Sequence, residues 1–297
     1  MAITDAIIQY RRFLKRKNYS AHTVKNYMYT LRQFVLWADV PIEQATCKKI
    51  LAYIDHLRAR RLRPKTINCH LDSIRGFYDY LIDEEQVQII NPVKSGYSLR
   101  LSKPLPRYLK DEQVLQLFTH INSLRDRAMF MLMLRCGLRV EEVANVKLAA
   151  IDWPRAQLFV YEGKGGKDRV VYLSKDTYQA LVEYLKVRPC SRAKKLFVVE
   201  KGDFKGKPIS VRGIQKRMEY YAKKAGLKVS CHQLRHTMAT QLLNADADLV
   251  VIQDLLGHRY IQTTQRYCRL SNRKVQRDYH RAIATVMRRH GLRGEST

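Results

Sequence analysis

The sequence predicts a mainly α-helical protein with one small antiparallel β-sheet (α+β), divided into an N-terminal helical domain and a C-terminal mixed domain. Three observations lead there. Residues 1–93 carry helical apolar spacing with no strand-like alternation. The stretch "INPVKSGYSLRLSKPLPRYL", with three prolines and one glycine, interrupts that spacing. Beyond it, short β-branched and aromatic runs stand among further helices. The expected boundaries are 1–93 for the first domain, 94–108 for a linker and 109–297 for the second domain. A chain of 297 residues, 46% hydrophobic, has ample material for two cores.

Four helices account for the first domain. "TDAIIQYRRFLKRK" places apolar residues at Ile7, Ile8, Phe13 and Leu14. Ser20 reads as an N-cap before a helix whose period runs through Val24, Tyr27, Leu31, Phe34 and Val35. "CKKILAYIDHLRARR" forms the third helix. Pro64 opens the fourth, with Ile67, Leu71, Ile74 and Tyr78 on one face. In the second domain "KDEQVLQLFTHI", "SLRDRAMFMLMLRCG" and "VEEVANVKL" read as helices. The second of these is nearly all apolar, hence buried, and Gly137 suits its C-terminal cap. "QLFVYEG", "DRVVYL" and "KLFVV" are the expected strands, the first two joined as a hairpin by "EGKGGKDR". Helices follow to the end, the last spanning 273–290.

Charge narrows the partner. Lys and Arg number 55 against 27 Asp and Glu, a net charge of +28 spread along the whole chain. Such an excess costs self-repulsion unless a polyanion meets it, which points to nucleic acid. No helix sets a basic face against a bulky apolar one, so a membrane surface is the weaker partner. The N-terminus lacks a signal-peptide core, and no segment is long and apolar enough to span a bilayer. Six cysteines at 47, 69, 136, 190, 231 and 268 form no CxxC pair, and a reducing cytoplasm is expected.

The chemistry concentrates in a few residues. In "CHQLRHTMAT", His232, Arg235 and His236 share a helical face at i, i+3 and i+4. Histidines at that spacing occur in zinc helices, but Gln233 stands where a Glu base is needed and Arg235 would oppose a dication. No metal and no cofactor is expected, and His236 reads as a hydrogen-bonded core histidine. Arg139, Lys164, His232, Arg235, His258 and Tyr267 together supply two guanidinium forks, an ammonium, two imidazoles and a phenol. Guanidinium forks match the non-bridging oxygens of a phosphate and bind a phosphorane better than its precursor. A free tyrosine ionises near pH 10, so a phenolate at neutral pH costs about 4 kcal/mol. Neighbouring cations and a histidine base offset much of that cost. Lys164, at the Gly-flanked hairpin tip, is placed to protonate a leaving 5′ oxygen.

These segments resemble the tyrosine recombinases, the phage-integrase and Xer family of site-specific DNA recombinases, over nearly the whole chain. "GLRVEEVANVKLAAID" resembles the segment of the first arginine, which makes Arg139 that residue and Glu142 its supporting acid. "GKGGKDRVVYL" resembles the catalytic-lysine hairpin, with Lys164 the match and Lys167 second choice. "HQLRHTMATQLL" carries over to His232 and Arg235, and "IQDLLGHRYIQTTQRY" to His258 and the nucleophile Tyr267. "YSAHTVKNYMYTLRQF" and "INPV" resemble the N-terminal core-binding domain. Cys268 follows Tyr267 where many relatives carry Thr, an oxidation-sensitive neighbour.

The resemblance implies a C-shaped clamp on double-stranded DNA. It implies cleavage through a 3′-phosphotyrosine, strand exchange through a Holliday junction, and a homotetramer on two duplexes, alone or with a sister recombinase. The helix 273–290 resembles the segment that docks on the next protomer. With no arm-binding segment expected ahead of the first domain, the resemblance favours a simple Xer-like or transposon recombinase. Two rivals share parts of this pattern: a type IB topoisomerase-like enzyme and a non-catalytic DNA-binding relative. Tyr260 and Tyr279 are the competing hydroxyls, read as structural.

Overall fold

The computed structural model describes residues 3–102, 106–161, 168–258, 260–265, 267, 279–280 and 282–286. The chain divides into two compact units, 1–103 and 104–297.

In the first unit the local signals act as read. Helices α1 (Ile3–Arg16), α2 (Ala21–Ala38), α3 (Cys47–Ala59) and α4 (Pro64–Asp83) follow one another. The Ser20 hydroxyl accepts from the Thr23 N–H at 3.1 Å, and the Thr46 hydroxyl from the Lys49 N–H at 3.3 Å, each satisfying an orphan donor of a first turn. Ile67, Leu71, Ile74 and Tyr78 are all buried. In α1 the expected Leu14 is buried, but Ala6 and Tyr10 share that face, whereas Ile8 is exposed. Tyr10 enters the core because aromatic partners await it, with Phe77 and Tyr80 at ring-centroid distances of 5.3 and 5.2 Å. The chain leaving α4 is strapped back onto this unit. Arg75 donates to the Val93 and Lys94 carbonyls, and the Asn68 amide pairs both backbone groups of Leu99.

The second unit is built around α6 (Leu124–Arg135), whose residues from Ala128 to Leu134 are all buried. Around it stand α5 (Asp111–Thr119), α7 (Val140–Asn145), α8 (Lys175–Val187), α9 (Val211–Lys224), α10 (Cys231–Asn244), α11 (Leu249–Leu256) and α12 (Ile261–Gln265). Asp126, fully buried on α6, takes hydrogen bonds from Arg125, Arg217 and Tyr221, and so ties α6 to α9. The sheet is antiparallel in the order β1 (Ile151–Asp152), β2 (Gln157–Val160), β3 (Arg169–Tyr172). Val160 lies opposite Arg169, so the hairpin is present, while its tip at 162–167 falls outside the described residues.

The third strand is a correction. "KLFVV", an expected strand, joins no strand of the sheet; it makes the isolated bridges Lys147–Lys195 and Val198–Pro208, its backbone bonding to Val146, Lys207 and Ile209. Leu196, Phe197 and Val198 are buried, but the Arg188 guanidinium takes the carbonyls of Ala193, Lys195 and Leu196. Side-chain donors thus meet acceptors that a partner strand would otherwise need. Of the terminal segment 273–290, residues 279–280 and 282–286 are helical and the remainder lies outside the described residues.

Candidate active site

The site begins at the end of α6. Gly137 turns the chain with φ +68°, a conformation open to glycine. A Cβ there would also meet Leu256 and Met238 at 3.0 and 3.1 Å. Two residues later Arg139 caps α7. Its own N–H donates to Glu142 Oε2 and its Nη1 to Glu142 Oε1, both at 2.7 Å. Glu142 is therefore a helix cap and a counter-ion at once.

A second guanidinium reaches the same carboxylate. Arg169, the first residue of β3, donates from Nη1 and Nη2 to the two Glu142 oxygens at 3.0 and 2.7 Å, and from Nε to the Leu255 carbonyl at 2.8 Å. The Glu142 and Arg169 side chains are buried. Burial by itself raises a carboxyl pKa, but the Arg169 bonds and charge, and then Arg139, outweigh it and hold Glu142 at about 2.

The third guanidinium, Arg235 on α10, is only 1% exposed. It donates to the carbonyls of Gly137 and Leu256. Arg139 Nη2 donates to the Gly257 carbonyl at 3.3 Å. Three arginines thus converge on the last carbonyls of α11, where unsatisfied C=O groups and the negative helix end favour cations. Gly257 ends that helix in the left-handed region at φ +59°, and a Cβ there would meet the Arg169 side chain at 3.1 Å. Burial, then the like charge of Arg139, lowers the Arg235 pKa, yet a guanidinium remains charged at neutral pH.

The imidazoles feel the same cations. His258 follows the Gly257 cap and sets Nδ1 2.9 Å from the Thr264 hydroxyl. Burial, followed by Arg235 and Arg139, pushes His258 down to about 3, so it is neutral at physiological pH. His232 keeps contact with solvent, yet lost solvation within the crowded pocket, then Arg235 and Arg139, lowers it as well. His232 and His236 meet edge to face with ring centroids 4.2 Å apart.

Tyr267 is 2% exposed, in a small cluster with Met238, Ala239, Leu243, Ile252 and Leu256. Its ring lies parallel to His258, centroids 6.5 Å apart, and its hydroxyl is 2.6 Å from His236 Nδ1. The structure therefore brings Arg139, Glu142, His232, Arg235, His258 and Tyr267 into one region of the second unit. Lys164, Lys167 and Cys268 lie outside the described residues. Tyr260 is 60% exposed, as is Tyr279.

Sequence reasoning missed two members. Arg169 shares strand parity with the buried Val171 and Leu173, and a charge on an inward-facing position demands a counter-ion. That parity was the available signal. His236, by sequence a hydrogen-bonded core histidine, is hydrogen-bonded to the phenol of Tyr267.

Comparison with known proteins gives a consistent result. Residues 107–274 match the model of the phage integrase family, and residues 7–85 that of the phage integrase N-terminal SAM-like domain. Tyrosine recombinase XerC of Halalkalibacterium halodurans is 34% identical over 283 residues, covering 89% of this chain and 93% of the relative. Tyrosine recombinase XerA of Pyrococcus horikoshii is 29% identical over 287 residues, covering 96% of each. In fold, the chain is similar to a lambda integrase (75–356) dimer bound to a COC′ core site, with a TM-score of 0.73 at 18% identity, over 89% of this chain and 97% of that one.

Proposed function

This chain belongs to the phage integrase family, and from that premise we propose the roles of its site residues. It is a tyrosine recombinase, a DNA strand transferase that cuts and rejoins strands in site-specific recombination. Tyr267 attacks the scissile phosphodiester, leaving a 3′-phosphotyrosine and a free 5′ hydroxyl. The hydroxyl of a second strand reverses the step. The covalent link retains the bond energy, so no nucleotide triphosphate is consumed.

The observation that carries this reading is the pocket's charge balance. Among the described residues, Arg139 and Arg169 share the Glu142 carboxylate, while Arg235 beside them is held by backbone carbonyls, with a phenol alongside. A phosphodiester supplies the missing negative charge, and a phosphorane supplies more, so the pocket favours the transition state. Arg139 and Arg235 hold the non-bridging oxygens, and Glu142 keeps Arg139 aimed. Neutral His258 pairs Nδ1 with the Thr264 hydroxyl, and in the tautomer protonated on Nε2 it offers that proton to a phosphate oxygen. His232 offers a second neutral donor. Lys164, with Lys167 as alternate, protonates the departing 5′ oxygen. Two rounds of exchange pass through a Holliday junction in a homotetramer on two duplexes, the terminal helix of each protomer docking on the next.

The test uses the full-length protein and nicked suicide duplexes carrying the inverted repeats that flank its gene. Wild type forms a covalent adduct, whereas Tyr267→Phe binds equally well and forms none. An adduct with Tyr267→Phe would falsify the assignment. Binding by wild type without an adduct on any such duplex would identify a DNA-binding module instead. Holliday junctions in the products separate recombination from the relaxation of a topoisomerase-like enzyme.

A further inference from the structure

We propose that His236 is the catalytic residue that takes the phenolic proton of Tyr267 during cleavage and returns it during rejoining. The inference rests on the reading of Tyr267 as nucleophile and names its proton acceptor. Three imidazoles stand near the phenol, and they differ in what their nitrogens meet. His258 lies parallel to the Tyr267 ring and turns Nδ1 to Thr264. His232 packs edge to face on His236. His236 sets Nδ1 2.6 Å from the Tyr267 oxygen, within the reach that general-base transfer requires. In the tautomer with Nε2 protonated, the lone pair on Nδ1 is placed to accept the phenolic proton across this contact.

The location explains how the transfer is timed. Arg235 is the residue before His236, and its charge, with those of Arg139 and Arg169, bears on the neighbouring imidazoles. In the free protein these guanidiniums oppose a further cation. A phosphodiester held among them contributes negative charge, so an imidazolium at His236 costs less with DNA bound than without it. The phenol is thereby kept protonated until there is something to attack. In the step itself the Tyr267 Oη–P bond forms and the P–O5′ bond breaks. The phenolic proton passes to His236 Nδ1, while the 5′ oxygen takes a proton from the donor role given above to Lys164. Rejoining runs the same transfers backwards.

Two variants and one wild-type measurement test the proposal, by single-turnover adduct formation on a nicked duplex. His236→Asn keeps an acceptor where Nδ1 stood but cannot carry a proton away; His236→Ala removes both. Both are expected to slow adduct formation by about 10²–10⁴ with DNA affinity unchanged. Replacing the bridging 5′ oxygen of the duplex by sulfur, whose thiolate leaves without a proton, should not restore them. On that sulfur duplex the wild type should still react about twofold more slowly in D₂O, reporting transfer from the phenol. Activity of His236→Asn within a few-fold of wild type would reduce the contact to positioning and overturn the proposal. Rescue by sulfur would reassign His236 to the leaving group and overturn it as well. Absence of the isotope effect in the wild type has the same consequence even if neither variant folds. Tyr267→Phe run in parallel keeps the two readings apart: an adduct there removes the nucleophile, whereas a defect confined to His236 concerns the acceptor.

Discussion

His258 shows how much a single residue's titration depends on its neighbours. Its imidazole is held at about 3 against an ordinary 6.5, by burial first and by Arg235 and Arg139 next. The folded protein therefore binds this proton less readily than the unfolded chain does. Between about pH 6.5 and 3 the unfolded state takes up the proton and the folded state does not, so stability falls as pH falls through that window. His258→Asn keeps a side-chain partner for Thr264 but cannot titrate. Its urea midpoint should drop less between pH 7.5 and 5.5 than that of wild type. Equal drops would show that other groups control the acid limb. Glu142 adds to acid sensitivity lower down. Its depressed pKa makes its contribution full above about 4.5 and lost as pH falls toward 2.

Between elements, one ion network holds the site together. Arg169 joins the start of β3 to Glu142 on α7 and to the Leu255 carbonyl near the end of α11. The start of β3, the helix capped by Arg139 and the turn that presents His258 are thereby referred to one another. Removal of the shared carboxylate leaves two guanidiniums without their counter-ion, whereas removal of Arg169 still leaves Glu142 its bonds to Arg139. Glu142→Gln should therefore cost more stability, about 3–5 kcal/mol, than Arg169→Gln. The double variant should fall short of the sum by about 1 kcal/mol or more. Denaturant unfolding of the four proteins measures this; strict additivity would mean that the two residues act independently.

Across the whole molecule, the net charge of +28 belongs to both units and matches a long polyanion better than a compact ligand. If binding neutralises on the order of ten phosphates, affinity for duplex should fall by about 10³–10⁵ between 50 and 200 mM salt. Titrations at several salt concentrations test it. A shallow slope would confine the contact to a few phosphates around the site. Among the described residues no helix is long and apolar enough to cross a membrane.

What the sequence alone determined is whatever depends on near neighbours in the chain. Ser20 and Pro64 mark helix starts because an N-cap or first-turn signal acts within a few residues, and Ile67, Leu71, Ile74 and Tyr78 declare a buried face because helical period repeats locally. The same holds for Glu142, one turn from the arginine it supports. Tertiary structure decided the rest. Tyr10 displaced Ile8 from the core because ring partners from α4 receive it. "KLFVV" stayed out of the sheet, its backbone groups paired instead with Arg188, Val146, Lys207 and Ile209. Arg169 and His236 gained their meaning from Glu142 and Tyr267, 27 and 31 residues away. Residue type declares which bonds a side chain can make, but only the folded chain selects its partner, since burial removes the water that would otherwise serve every donor and acceptor equally well.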